Sequence, residues 1–398
     1  MALLRTSAPQ LAHWATLLSA VLPGGMRAVA SVYLITVAGL GPFAVGSYNY
    51  ASTFLGIIVT YYAGRGRLDR FDPVSVFALT SVLSVLSLLC TLAAGLSVFW
   101  LVPAALISAV GQIGGPSLYM YDERYGPADG GKDAGLYRTR MLFSIAWIIG
   151  PPLSFLIFWA SGYPLVVCAM GLMYAGASLA MLLARSRRAP NPVTIAKPAA
   201  KPIVGEASPL GFWPIFTVMV ATTCANVLHS IDMPLYLIQT LQVPSFWPGF
   251  LMSTAAGIEV VVIALLPRLT KATSDETIMW VGLGAGVVYF GLLNFMTAPG
   301  VLLVAQLLYG SHFAATTVVC LPLLRRATSG GVGSLASQFT NASKIGALLA
   351  AVVFALAGGT LGYHAILVVI CPALLLLALG FGVLRWLGLQ RGRKAAGV

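Results

Sequence analysis

The sequence is short of charge. Asp, Glu, Lys and Arg make up 9% of its 398 residues, against about 25% in a typical soluble domain. Acidic side chains are the scarcest, with 11 Asp and Glu against 23 Lys and Arg, whereas 59% of the residues are hydrophobic. So little charge cannot cover the water-facing surface of a soluble protein of this length. The high apolar content also excludes a disordered chain.

Cysteine and histidine are few as well, with five and four residues. The cysteines stand singly in apolar runs, without a CxxC pair or a histidine at metal-ligand spacing, so we interpret them as small core residues. The segments between the apolar runs carry no HExxH, GxSxG or phosphate-binding motif, and those on the predicted cytoplasmic side are too short to form a catalytic domain. We therefore predict that the protein is not an enzyme and has no cofactor or metal site.

Long apolar runs dominate what is present. A bilayer core about 30 Å thick requires about 20 apolar residues per helix. Gly and Pro lie between or inside these runs, as membrane helices tolerate. The sequence predicts an all-α integral membrane protein with twelve transmembrane helices at 11–38, 43–63, 73–93, 98–122, 138–160, 163–184, 211–239, 246–267, 275–296, 299–324, 332–357 and 362–388.

The positive residues predict the orientation of these helices. If both termini are cytoplasmic, 21 of the 23 Lys and Arg residues lie at or near the inner surface, and the six outer loops hold none. This partition follows the positive-inside rule. We therefore predict a multi-pass protein of the cytoplasmic (inner) membrane. The excess positive charge then faces anionic lipid headgroups, and we predict no nucleic-acid partner.

A Pro-rich basic stretch at 185–210 predicts a cytoplasmic linker. It separates an N-terminal six-helix bundle, 1–184, from a C-terminal six-helix bundle, 211–398. An offset of 203 residues aligns Tyr33-Leu34-Ile35 with Tyr236-Leu237-Ile238 and also aligns Gly46 with Gly249. This repeat predicts two pseudo-symmetric bundles, an architecture in which transporters enclose a binding cavity near the membrane midplane.

Several motifs resemble the major facilitator superfamily, and in particular its bacterial sugar efflux transporters. Residues 63–70, AGRGRLDR, resemble the loop between the second and third helices, and residues 140–153, RMLFSIAWIIGPPL, resemble the fifth helix. Matching segments of the second half follow in the family's order: 233–235, 256–260, 306–308, 340–344 and 363–365. The resemblance implies transport by alternating access. It implies conformational roles for Gly64, Arg65 and Asp69, and the pair Gly150 and Pro151 permits close packing and a bend of the fifth helix.

Ionisable groups inside the spans are expensive and are therefore candidates for coupling transport to protons. Asp232 lies three residues beyond His229 on the seventh helix, and Glu259 lies deep in the eighth. Burial favours the protonated form of a carboxylate, so these groups could take up and release protons. A structural alternative is that Asp232 stabilises a helix end before Pro234 and that Glu259 forms an ion pair.

Polar and aromatic side chains in the spans are candidates for substrate binding. The indole of Trp147 can stack on a sugar ring, and amides and phenols both donate and accept hydrogen bonds. Packing inside the bundles is the alternative for each residue. The predicted substrate-binding residues are Trp147, Asn49, Tyr50, Arg27, Asn226, Gln306, Tyr309, Asn341 and Lys344.

Together these features predict a secondary active transporter that exports small sugars or glycosides, coupled to protons as an antiporter. Its predicted partners are that small-molecule substrate, protons and membrane lipid. The open alternative on the same scaffold is an exporter of drugs or other amphipathic metabolites.

Overall fold

The structure is a computed structural model that describes residues 8–64, 71–115, 117–118, 121, 134–186, 210–293, 295–327 and 332–395. All regular secondary structure in these ranges is helical. The first half contains α1 (Ala8–Val32), α2 (Pro42–Gly64), α3 (Pro73–Ala93) and α4 (Leu101–Gly111). A short 3₁₀ turn, Val98–Trp100, precedes α4. The predicted fourth span, 98–122, thus begins as a tight turn and becomes α-helical only at Leu101.

Two helices follow within the continuous stretch Ala134–Ser186. Gly162 interrupts this stretch with φ 77° and ψ 178°, a conformation that only glycine adopts at little cost. We call the parts 134–161 and 163–186 α5 and α6. The sequence prediction placed a short outer loop at 161–162, and the reversal occurs there.

The second half contains α7 (Phe212–Leu235), α8 (Trp247–Ala272), α9 (Asp275–Leu292), α10 (Pro299–Ala327), α11 (Val332–Ala357) and α12 (Tyr363–Ala395). Local signals fix several starts. Asp72 accepts a hydrogen bond from the Ser75 amide before α3, and Ser274 accepts one from the Thr277 amide before α9. Such caps satisfy amides that have no partner inside the helix.

Eight of the described helices are long and apolar enough to cross a membrane. One of them, Met141–Ser186, contains two spans because it runs through Gly162. The predicted all-α membrane fold is confirmed: with α2, α4 and α9, the described residues form twelve helices.

The structure repeats at the offset found in the sequence. α1 ends in a π-helical segment, Tyr33–Val37, and α7 ends in another, Tyr236–Thr240. The Leu40 amide donates to the Leu34 carbonyl at 2.9 Å, and the Val243 amide donates to the Leu237 carbonyl at 3.1 Å. These two bonds are 203 residues apart, so the predicted pseudo-symmetry extends to the way each helix ends.

Aromatic stacking is repeated at the same helix ends. Tyr33 stacks on Tyr163 with ring centroids 4.1 Å apart, and Tyr236 stacks on His364 at 5.0 Å. The Tyr33 hydroxyl donates to the Leu92 carbonyl at the end of α3. His364 Nε2 correspondingly lies 3.0 Å from the Leu293 carbonyl just after α9. Each half thus ties its first, third and sixth helices together at one end.

The chain divides into two compact units. Unit 1 comprises Met1–Val193 and Leu237–Ala256, and unit 2 comprises Thr194–Tyr236 and Gly257–Val398. In unit 1, α1 packs along the 134–186 stretch, and a core forms around Leu11, Phe77 and Met181. In unit 2, α9 packs against α10 and α12, while α7 packs against α10, α11 and α12. Division of the chain at the 185–210 linker stays a prediction.

Candidate functional site

Unit 2 contains a buried network of polar side chains on α7, α9 and α10. His229 Nε2 lies 2.7 Å from the Tyr289 hydroxyl, and Gln306 Nε2 donates to that hydroxyl at 3.0 Å. Tyr309 stacks on His229 with ring centroids 4.0 Å apart, and its hydroxyl donates to Asn226 Oδ1 at 2.6 Å. Four of these five residues are predicted site residues, and the structure brings all four together.

The number of hydrogens at Tyr289 fixes the direction of these bonds. Its hydroxyl accepts from Gln306, because an amide nitrogen only donates. If it also accepted from His229, its own proton would be buried without an acceptor among the described residues, which is costly. Tyr289 therefore donates to Nε2 of a neutral His229. A proton added to His229 at Nε2 would reverse this bond and disturb the whole network.

Asp232 lies one turn beyond His229 and is completely buried. Neither of its carboxylate oxygens has a hydrogen-bond partner among the described residues. Tyr363, at the start of α12, lies within electrostatic range of it. An ionised carboxylate in such surroundings costs several kcal/mol, about the penalty for removing an ion from water, whereas a protonated carboxyl group is neutral. Asp232 is thus a group whose charge state the surrounding protein controls.

Glu259 on α8 is buried and lies within electrostatic range of Tyr309. The second predicted carboxylate therefore belongs to the surroundings of the same network. Asn341 and Lys344 are half-buried, one turn apart on α11, and both Lys344 and Glu259 interact with neighbouring groups. The structure places these two α11 side chains at intermediate exposure, unlike the fully buried Gln306.

The predicted residues of α1 and α2 are more exposed. Arg27 is exposed on α1, within electrostatic range of the half-buried Tyr48. Asn49 donates to the Val45 carbonyl of its own helix at 3.0 Å, and Tyr50 is exposed and stacks on Phe54. On α1 and α2, unit 1 thus has three polar groups with exposed or partly exposed side chains: the guanidinium of Arg27, the phenol of Tyr50 and the amide oxygen of Asn49.

Trp147 is half-buried on α5. Ser144 and Pro151, one turn away on either side, are both buried. Part of the indole surface of Trp147 therefore remains accessible in unit 1.

Two predicted conformational residues bring α5 against α1. A Cβ atom on Gly150 would collide with the Val21 carbonyl, and one on Gly25 would lie 2.8 Å from Pro151 Cα. The two backbones therefore touch. Gly64 is the last residue of α2, whereas Arg65 and Asp69 lie outside the described residues.

The other side of α5 meets the beginning of α8 within unit 1. Ser253 donates through Oγ to the Ile148 carbonyl, and a Cβ atom on Gly249 would lie 2.6 Å from Pro152 Cα. Near the start of α8, Trp159 of α5 packs edge-to-face on Phe246 at 5.5 Å. The Gly-Pro-Pro segment thus permits close helix packing on two sides.

Comparison with curated proteins finds bacterial transporters along most of the chain. The chain is 25% identical over 339 residues to sugar efflux transporter A of Dickeya chrysanthemi, and the matched region covers 84% of this chain and 85% of that protein. It is 26% identical over 349 residues to sugar efflux transporter B of Salmonella typhimurium, with 84% and 85% covered. The predicted resemblance to bacterial sugar efflux transporters is confirmed. No protein-family model matches the chain.

Solved structures agree on the fold. A bacterial homologue of the iron transporter ferroportin in its inward-facing state matches with TM-score 0.73 and 15% identity, over 95% of this chain and 99% of that one. The nucleoside transporter NupG matches with TM-score 0.70 and 13% identity over the same shares. The predicted twelve-helix major facilitator architecture is therefore confirmed. The curated relatives and the solved structures that match this chain are named as transporters and not as enzymes, in agreement with the prediction.

Two polar residues of the unit 2 interior, Tyr289 and His312, are not among the predicted site residues. Tyr289 is fully buried and joins His229 to Gln306. His312 bonds the Gly282 carbonyl through Nδ1, and its buried Nε2 has no partner among the described residues. Tyr289 lies in an apolar run without a local signal. A polar residue at helical spacing inside a span was the only available pointer to His312.

Proposed function

We propose that this transporter exports small sugars or glycosides, driven by protons that move in the opposite direction. The similarity to curated sugar efflux transporters along 84% of the chain carries the proposal. Half-buried amides and an accessible indole suit a neutral polyhydroxyl ligand, because amides bond hydroxyls and an aromatic face packs on the apolar side of a sugar ring.

Proton coupling is assigned to Asp232, Glu259 and His229, the last of which belongs to the tyrosine network and lies three residues before Asp232 on α7. The support is geometric. Asp232 is buried without a hydrogen-bond partner among the described residues, and the neutral His229 accepts from Tyr289. Adding a proton to His229 would change the hydrogen bonds that run through Tyr289 to Gln306, and His229 also stacks on Tyr309, which bonds Asn226. Protonation would thereby alter the side chains assigned to the substrate.

The substrate-binding assignment falls into two groups. Arg27, Asn49, Tyr50, Trp147, Asn226, Asn341 and Lys344 are exposed or half-buried and are proposed to contact the ligand. Gln306 and Tyr309 are buried, and we assign them the task of holding His229 and Asn226 in place. In this proposal the protein alternates between inward-open and outward-open states, with both termini on the cytoplasmic side of the inner membrane.

Transport in proteoliposomes tests the proposed function. Purified protein is reconstituted with an imposed pH gradient and offered a panel of labelled mono- and disaccharides, glycosides and amphipathic drugs. We expect gradient-dependent movement of at least one sugar or glycoside, abolished by a protonophore. If drugs are transported and no sugar is, the drug-exporter alternative is favoured. If the rate of sugar transport is the same with and without the pH gradient, proton coupling is refuted.

Trp147 provides a local test of sugar binding. Trp147→Ala should weaken binding of a transported sugar by roughly 1–3 kcal/mol, the scale of losing a buried aromatic face. Trp147→Phe should retain part of the affinity because it keeps a ring. Affinity and melting temperature are measured on the same purified variants. Trp159→Ala, on the same helix, is the control: it loses packing on Phe246 and should keep wild-type affinity. Reduced stability with unchanged affinity in Trp147→Ala would place the sugar elsewhere.

A further inference from the structure

An apolar groove runs along the surface of unit 2 between α9 and α12. It encloses about 590 Å³, and its large side chains are exposed, including Trp280 at 44% and Trp386 at 58%. These residues belong to neither the predicted site nor the buried network. The residues that shape the groove are Trp280, Gly284, Val288, Leu375, Gly382 and Trp386.

Small residues and a fixed indole form this groove. A Cβ atom on Gly284 would meet no other atom within 4 Å, so the floor of the groove is open there. The Trp280 ring lies over Gly382, whose Cβ position is 3.1 Å from Trp280 Nε1. The same nitrogen donates to the Ala378 carbonyl at 3.0 Å. A hydrogen bond thus holds one wall of the groove in position.

One end of the groove is cationic. Arg385 directly precedes Trp386 on α12, and its Nη2 donates to Thr277 Oγ1 at 2.6 Å. Because Thr277 lies one turn before Trp280 on α9, the guanidinium is located at the end of the groove. The backbone of α12 continues as a helix to Ala395, and this extension contains Arg391, Arg393 and Lys394. Tryptophan and arginine at one level are typical of a membrane interface.

The length of the groove fits one leaflet. From Trp280 to Val288 a helix rises about 12 Å, and from Leu375 to Trp386 about 16 Å. Half of a bilayer core measures about 15 Å. The groove therefore extends from the interface, marked by Arg385, to about the middle of the membrane.

We propose that this groove binds one acyl chain of an anionic phospholipid, with the lipid phosphate beside Arg385. Phosphate suits a guanidinium, which offers paired donors, and the basic extension of α12 adds attraction for a negative headgroup. A second copy of the chain fits less well. A symmetric dimer through this face would bring two cationic helix ends together, whereas an anionic lipid neutralises them.

Fluorescence quenching by lipids brominated in the acyl chain tests the proposal on the full chain in lipid nanodiscs. Brominated phosphatidylglycerol should reach half-maximal quenching at a mole fraction about fivefold lower than brominated phosphatidylcholine, the preference expected from one cationic side chain at the surface. The chain has eight tryptophans, and two of them, Trp280 and Trp386, line the groove. Trp386→Phe should therefore reduce the component with the highest affinity, which Trp280 continues to report. Trp213→Phe, an exposed tryptophan of α7, should keep it.

Two pairs of variants separate the acyl chain from the headgroup. Gly284→Leu fills the groove and should abolish the high-affinity component, whereas Gly380→Leu adds the same side chain to an equally open position outside it and should not. Arg385→Gln should remove most of the fivefold preference, while Lys271→Gln, which removes an exposed positive charge from α8, should leave it intact. Size-exclusion chromatography verifies that each variant is folded.

Three results would overturn the proposal. Equal quenching by the two lipids would mean that the groove has no preference for an anionic headgroup. An unchanged high-affinity component in both Gly284→Leu and Trp386→Phe would place the bound lipid elsewhere. A dimer that persists without anionic lipid and shields Trp386 from both brominated lipids would assign the groove to a second copy of the chain.

Discussion

Asp232→Asn is expected to abolish proton-driven accumulation of sugar. With one proton exchanged per sugar, a gradient of one pH unit supports an accumulation ratio of about tenfold. Asparagine keeps the shape of the side chain but cannot release a proton, so the ratio should fall to about one. Exchange of labelled for unlabelled sugar without a gradient should continue, because it requires no net proton movement. Accumulation and exchange are measured in the same proteoliposomes.

Glu259→Gln should have the same effect if both carboxylates serve coupling. Asp275→Asn is the matched control. It removes another carboxylate from unit 2. Asp275 is the first residue of α9 and forms a 2.7 Å ion pair with Arg326 near the end of α10. This control should lower the melting temperature and preserve accumulation. A normal accumulation ratio in both Asp232→Asn and Glu259→Gln would exclude these groups from proton coupling.

Gly150→Ala is expected to destabilise unit 1 strongly. The new methyl group would fall on the Val21 carbonyl, where the backbones of α5 and α1 touch. Overpacking costs about 1–3 kcal/mol when side chains can adjust, and a contact with backbone leaves little room to adjust. We expect a loss at or above the upper end of that range. Thermal unfolding in detergent measures it.

A second glycine supplies a control with the opposite sign. A Cβ atom on Gly171 in α6 would make only an ordinary contact, 3.9 Å from Val85. Gly171→Ala should therefore stabilise the helix by up to about 1 kcal/mol, because alanine has the higher helix propensity. If the two variants had equal stability, the close approach of α1 and α5 would be refuted.

The sequence was most informative about the helices and the repeat. Spans follow from the length of apolar runs, because a helix that crosses lipid must satisfy its own backbone and remain apolar along its length. The Tyr-Leu-Ile match at an offset of 203 residues located two helix ends, and both are π-helical in the structure. These properties are local, so a single segment is sufficient to recognise them.

The sequence identifies most of the residues in the buried network of unit 2, and whether they form the transport site stays a prediction. Asn226, His229, Gln306 and Tyr309 stand out as polar residues in apolar spans, and the structure joins them in one network. Tyr289, which connects His229 to Gln306, resembles any other core tyrosine in the sequence. Its partners lie 60 residues before it and 17 after it, so only the packing of α7, α9 and α10 reveals the connection.

By itself the sequence determined that the chain lies in a membrane, that it crosses it as twelve helices in two related halves, and that few polar groups are available for transport. Tertiary structure decided which of those groups meet and that Asp232 lacks a hydrogen-bond partner among the described residues. It also decided that the space beside Gly284 is open, whereas Gly150 lies against the backbone of α1. The reason is physical. Apolar length and charge distribution are properties of a segment, whereas burial, pairing and open space depend on neighbours that are distant in the chain.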